Sequence, residues 1–597
     1  MKDKNAVDKK YKVDLSDLFK NDTDFFNELD SVKKDMMKIS TFINKVCLSS
    51  ENLFNVLSLD NDISLRLNSL HIYAHVNLDT DLSNSKANEK NGLVMNLYNE
   101  YSALSAYIVP EILKVDYEKI EDMIKENGNL KEFELLLKSL FRFKNHTLSK
   151  KEEELIAKLS DAFNVAEEVS VKLTDVDLKF DKIKNEEGKL ERLTDVNYSK
   201  FMQSEKRDVR KAAFKTLYKG YKSINNTMGQ LLSSHVKLNN NLCNARNYNG
   251  QFEASLYGNE IDTVIYSNLI KSINANMNLI HKRLSIRKKV LGYNKLFLYD
   301  LNAPIVKQDK KVYDFETSRK LVEDSLKVLG DDYSKVLKKS FDEGWIDVYP
   351  YENKRGGAYC TCAYKTHPYV LLNHDDTFNC VSTLAHELGH AMHYHYAVKN
   401  NNYANYNYSI FVAEVASQVN EILLIKHMLK ATDKKDEKLY LYNELINKFA
   451  GAVSRQTMFA EFEKLIYDLD NQKIVLTNEL LNEKYFKLVK KYHGKDVEVN
   501  DDIKYEWSRV PHFFYNFYTY QYATGFMASL FIAEDLFNEK ENALENYLEF
   551  LSLGTTKDPV ESLCVAGVDF KKEETFNKAF EIYGQLLNDF VKIYEEE

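Results

Sequence analysis

At 597 residues the chain exceeds one compact core, since domains run to roughly 100–200 residues, so two or more lobes are expected. Its 44% apolar and 12% aromatic content excludes intrinsic disorder, and 19 glycines and 6 prolines beside 29% charged residues favour long amphipathic helices. A formal net charge of −9 is mild for this length and argues for neither a nucleic-acid partner nor an acidic tail.

The N-terminal stretch MKDKNAVDKKYKVDL lacks the apolar segment of a signal peptide, and no apolar run reaches the roughly 18 residues that suggest a membrane span. A cytoplasmic protein with no membrane partner is expected. Six scattered cysteines fit reduced thiols better than a disulfide framework. From about 15 to 175 the segments DLFKNDTDFFNELDSVKKDMMKI, LNSLHIYAHVNL and KEEELIAKLSDAFNVAEEVSVKL repeat with a helical period, with polar breaks expected near residue 60 and at KENGN. His71 and His75 are one helical turn apart, but Ile72 follows the first of them where an acid would be needed, and a structural role is expected. At 176–194, VDLKFDKIKNEEGKLERLT alternates about a Glu-Glu-Gly turn and reads as a β-hairpin. It marks an expected boundary between an N-terminal helical lobe, 1–195, and a catalytic domain, 196–597.

Helices resume with SEKRDVRKAAFKTLYKGYKSI, whose mixed charges read as a solvated helix face, and continue to about 340. A second interruption holds Pro350, Pro368, the pair Gly356-Gly357 and two strand-like runs, AYCTCAY and PYVLLN. Cys360-Thr-Cys362 lacks the second pair that a zinc knuckle needs. The next helix has Asn379 or Ser382 as candidate N-caps. From 409 onward the pattern is helical, with short breaks near Gly494 and at Val510-Pro511.

That next helix contains STLAHELGHAMHYHY, residues 382–396. His386 and His390 lie on one face with Cβ atoms about 5–6 Å apart, which lets two imidazoles reach one ion. Catalytic zinc takes three protein ligands and keeps one position open. Glu387 falls on the neighbouring side, suited to act as general base. His393 and His395 are expected in supporting or surface roles. The third ligand is expected to be Glu414, inside the apolar run IFVAEVASQVNEILL, because an ionised carboxylate there is costly unless paired or coordinated. Glu421, seven residues on, is the alternative.

HELGHAMH at 386–393 and FVAEVAS at 411–417 together resemble the thimet oligopeptidase family of zinc metallopeptidases, specifically its oligoendopeptidase F branch. LGYNKLFLYDLNAP, GWIDVYP, KRGGAY, HPYVLLN and HFFYNFYTYQYATG extend the resemblance over about 180–580. It implies a mainly α fold of two helical lobes flanking a deep substrate channel, with a small β-sheet next to the zinc-binding helix. It implies one zinc ion per chain on His386, His390 and Glu414, with Glu387 as base. It also implies a substrate-binding and oxyanion-stabilising role for His512 and Tyr522, then Tyr515, at helical spacings that include Tyr518 or Thr519. Gly356, Gly357, Ala358 and Tyr359 would meet the peptide backbone, the glycine pair being equally readable as a plain tight turn. The expected activity is endoproteolysis of short to medium oligopeptides, with folded proteins excluded. A helical metallocarboxypeptidase and a non-catalytic peptide-binding scaffold are the alternatives. Oligomeric state is not legible in these charged helix faces.

Overall fold

Helices account for 70% of the chain in the computed structural model, which describes residues 4–307 and 311–596. They form two compact units, each gathered from three stretches: 1–145, 310–428 and 532–568 in the first, and 146–309, 429–531 and 569–597 in the second. The units therefore cut across the expected boundary at residue 195, because the chain passes between them repeatedly.

In the first unit, Ser49 caps the long helix Ser50–Asp79 by accepting from the Asn52 amide. Phe25, Leu53, Leu67, Leu70, Val94 and Leu97 join it to helices Asp22–Asp35 and Ser85–Ser105 in one core. No break occurs near residue 60. The polar side chains there have partners instead: Asp62 reaches Arg66 one turn on, Arg66 also binds Asp35 at 2.8 Å, and Asp60 accepts from the Tyr101 hydroxyl.

The interruption after residue 344 folds as a three-stranded sheet. Pro368–Leu371 lies in the centre, parallel to Ile346–Asp347 and antiparallel to Tyr359–Cys362, with Cys360 opposite Val370. Tyr359–Cys362 is thus an edge strand, and the sheet packs on the helix Phe378–Asn400. The loop before the edge strand is held by a buried ion pair, Lys354 Nζ to Asp347 Oδ1 at 2.6 Å, and by Arg355 on Asp79. The N-cap of Phe378–Asn400 is Thr377, not Asn379 or Ser382. Asp375 accepts from both the amide and the hydroxyl of Thr377, which holds that residue extended and starts the helix earlier. Ser382 then lies inside the helix.

In the second unit the expected hairpin is present, Lys182–Lys184 against Leu190–Arg192, with Gly188 at φ +81° in its turn. A parallel pair of two-residue strands, Leu296–Phe297 with Val497–Glu498, was not legible as such. Strands this short carry no alternation to read.

Candidate metal centre

His386 and His390 project from Phe378–Asn400 with ring centroids 4.9 Å apart. The helix Ile410–Ala431 brings Glu414 to them, its Oε2 lying 3.3 Å from His386 Nε2 and 3.5 Å from His390 Nε2. One ligand atom from each of the three lies within 4.8 Å of the others, the sole such group of three among the described residues. Donors about 2.0–2.1 Å from one centre at tetrahedral angles stand roughly 3.3–3.4 Å apart. Two imidazole nitrogens and a carboxylate oxygen at this spacing fit a zinc-class ion.

The electrostatics point the same way. Burial by itself would lower His386, but hydrogen bonds to Glu414 and Glu421 outweigh it and raise the imidazole to about 10. Burial would raise Glu414, yet the two histidines carry its carboxyl well below the usual range. The carboxylates around His386 thus favour a cation at the point where the three donors meet. Glu387, one residue past the first histidine, is only 6% exposed, and burial raises its carboxyl, with His386 and His390 opposing. The edge strand lies beside it: burial and the Glu387 charge push the Cys360 thiol up.

Glu421, the alternative third ligand, lies outside the group of three converging donors. Its Oε1 sits 2.7 Å from His386 Nδ1, and its Oε2 accepts from the Ser382 hydroxyl at 2.7 Å. A carboxylate on Nδ1 fixes the tautomer that leaves Nε2 free for a metal. Of the two carboxylates in this apolar run it is Glu421 that is buried, while the Glu414 side chain is 41% exposed. Glu421→Gln keeps the shape but removes the charge behind His386. Metal affinity is expected to fall by about 10–100-fold, read by competition with a chromophoric chelator, with an unchanged circular dichroism spectrum.

Three further residues hold this arrangement and were not identified from sequence. A Cβ on Gly389 would lie 2.5 Å from both Ala416 O and Ser417 Cα, so only glycine lets the two helices approach this closely. Asn420 donates to the Ala385 carbonyl at 3.2 Å and accepts from the Tyr333 hydroxyl, tying the same two helices. The Ser417 hydroxyl donates to Glu414 Oε2 at 2.9 Å. A glycine inside a helix costs about 0.5–1 kcal/mol relative to alanine, and that cost was the available signal for a packing role.

His393 and His395 stay outside the cluster. His393 is buried, stacked on Tyr408 at 3.7 Å, and burial drives it down to about 3. His395 lies near Trp345. In the remote pair, His75 binds Asp79 at 3.2 Å and stacks on His71. Gly357 has φ +85°, and a Cβ at either Gly356 or Gly357 would meet nothing within 4 Å. A turn braced by Asn373, which donates to the Arg355 and Gly357 carbonyls, accounts for the pair.

The second unit holds the aromatic segment, and here the expected single helical face is absent. A 3-10 turn, Pro511–Phe514, gives way to left-handed residues Asn516 and Phe517 at φ +49° and +63° before the helix Tyr520–Phe537 begins. The reversal is pinned: the Phe517 amide donates to Glu463, and the Tyr467 hydroxyl donates to Asn516 Oδ1. It still gathers the predicted side chains. His512 Nε2 lies 3.3 Å from the Tyr522 hydroxyl, and the Tyr515 and Tyr518 rings lie 5.5 and 6.0 Å from the imidazole. Thr519 is fully buried, and its hydroxyl has no hydrogen-bond partner.

A helical protein with His-Glu-x-x-His on one helix and a carboxylate supplied by a second is a metallopeptidase by fold and by site. The sequence profile of Peptidase family M3 matches residues 200–582 and that of Oligopeptidase F residues 111–180, and the chain belongs to peptidase family M3. It is 37% identical to Oligopeptidase PepF of Bacillus subtilis over 97% of this chain and 86% of that protein. A crystal structure from Chlamydophila abortus superposes with a TM-score of 0.94 at 31% identity, covering 99% of both chains. The oligoendopeptidase-F of Enterococcus faecium superposes with a TM-score of 0.75 at 28% identity, over 96% of this chain and 100% of that one.

Proposed function

We propose that the protein is a zinc-dependent endopeptidase cleaving short to medium oligopeptides rather than folded proteins. The observation that carries this is the convergence of His386, His390 and Glu414 beside the buried carboxylate of Glu387. Membership of family M3 and the similarity to oligopeptidases support the substrate class. Zinc, held by the two imidazoles and Glu414, supplies Lewis acidity to a peptide carbonyl and to water when bound.

The remaining work falls to the chain. Glu387 accepts a proton from the attacking water on its carboxylate and returns it to the leaving amine, and its raised pKa suits both transfers. Glu421 keeps His386 oriented through Nδ1. The edge strand Tyr359–Cys362, reached through Gly356, Gly357 and Ala358, offers backbone groups on its unpaired side to an extended peptide, giving affinity with little side-chain selectivity. His512 and Tyr522, with Tyr515 as the next candidate, donate to a substrate carbonyl oxygen as its charge grows. No helix among the described residues is long and apolar enough to cross a membrane, and the six cysteines are free thiols. The cytoplasm is the proposed compartment, with oligopeptides as the only proposed partners. The division at 195 is proposed as a boundary between sequence modules, the two family matches lying on either side of it.

Quenched fluorescent peptides blocked at both ends test the reading. They are expected to be cut internally, with activity lost to a chelator and restored by zinc, and with a folded protein left intact. His512→Phe and Tyr522→Phe are expected to lower kcat by about 10²–10³-fold at unchanged metal content. Cleavage confined to peptides with a free end would move the protein to the exopeptidases. Turnover indifferent to the chelator would remove the metal from the mechanism.

A further inference from the structure

The second unit contains a buried guanidinium, that of Arg287, and a partly buried one, that of Arg283, and no acid neutralises either. Arg283 and Arg287 lie one turn apart on the helix Met277–Val290. Among the described residues, no carboxylate oxygen lies within ion-pairing distance of either. The nearby acid, Asp300, is committed elsewhere, to Arg207 at 2.7 Å and Arg210 at 2.9 Å. Arg287 is 3% exposed and donates one N–H to the Ala303 carbonyl; Arg283 donates one to Asn447 Oδ1 at 3.0 Å. The Nε–H of each is buried without an acceptor. Burial and the neighbouring Arg283 and Arg210 push Arg287 down to about 9, and burial lowers Arg283.

An arginine does not escape this cost by losing its proton, and a buried charge without a counter-ion is strongly destabilising. Beside the pair lies a small cavity, which both guanidiniums line. Its remaining wall is Ile286, Ile305, Asn443, Ile446, Leu587 and Phe590. Asn443 is the one further polar side chain in that wall. Water in this space would neutralise neither cation. A monatomic anion accepts from unsatisfied N–H groups without needing a fixed lone-pair geometry.

We infer that this cavity is a binding site for one small halide ion, chloride being the available one, clamped between Arg283 and Arg287. The ion joins four segments of the second unit: the helix Met277–Val290, the loop at Ala303–Ile305, the helix Lys435–Phe449 and the C-terminal helix Glu573–Glu595. Its bound state therefore stabilises the unit far from the metal ligands in sequence.

Thermal unfolding of the full-length, metal-loaded protein in sodium chloride and in sodium gluconate, at equal ionic strength, tests it. Chloride is expected to raise Tm saturably, on the order of 2–4 °C, since a ligand bound only by the native state shifts unfolding by mass action. In Arg287→Met the difference between the two salts is expected to vanish, whatever the variant's own stability. Crystals of the parent grown with bromide are expected to show an anomalous peak between the two guanidiniums, a readout that needs no variant to fold. Equal Tm in both salts, retention of the chloride shift by Arg287→Met, or no bromide in the cavity would each overturn the assignment.

Discussion

Glu387→Gln is expected to lower kcat for peptide hydrolysis by about 10²–10⁴-fold, the usual contribution of a positioned acid–base group, while metal content stays stoichiometric. The two outcomes separate because Glu387 is not one of the three converging donors: His386, His390 and Glu414 bring their ligand atoms together without it. Its carboxylate is buried next to the metal ligands and beside the edge strand, where desolvation holds a proton more readily than water does. Glutamine preserves the volume in that tight position and removes the basic carboxylate that accepts and returns a proton. Metal analysis on the same preparation used for kinetics makes the comparison. A variant that keeps its metal and its rate would remove Glu387 from the chemistry. One that loses both would reassign it to holding the ion.

The site and the scaffold were unequally legible in the sequence. His386 and His390 could be read directly because a helix turns a spacing of four into a shared face, a purely local relation. Glu414 could be read only as a charge in an apolar run, and the reason offered for it belongs rather to Glu421, the more buried of the two. The distinction between them depends on how one helix crosses another, and sequence periodicity within one helix does not encode the partner's rotation. The aromatic segment shows the opposite case. Its helical spacing was wrong in mechanism, since Asn516 and Phe517 reverse the chain, yet His512 still meets Tyr522. That reversal depends on Glu463 and Tyr467, about fifty residues upstream, and nothing local announces it. The helix through residue 60 was misread for the same reason: Asp62 is satisfied by Arg66, which is shared with Asp35 of another helix.

Gly389→Ala is expected to disable the metal centre although the residue touches neither metal nor substrate. The added methyl would lie 2.5 Å from the Ala416 carbonyl oxygen and from Ser417 Cα, and both are backbone atoms that no rotamer change can move. The helix Ile410–Ala431 must therefore shift away from Phe378–Asn400. Overpacking of this kind costs about 1–3 kcal/mol, or a Tm loss of roughly 2–4 °C for each kcal/mol. The larger effect is on the ion. Glu414 and Glu421 ride on the displaced helix while His386 and His390 ride on the other, so a shift beyond the ~0.5 Å that a preorganised site tolerates spoils both the third ligand and the carboxylate behind His386. Zinc affinity is expected to drop at least as far as in Glu421→Gln, by about 10–100-fold or more, read by the same chelator competition. Gly92→Ala serves as the control, because that glycine sits exposed in the helix Ser85–Ser105 with open space around it. There the same substitution should stabilise by about 0.5–1 kcal/mol. If Gly389→Ala instead binds zinc like the parent, the helix crossing has more slack than the 2.5 Å approach allows, and the positions of Glu414 and Glu421 are set by something other than that contact.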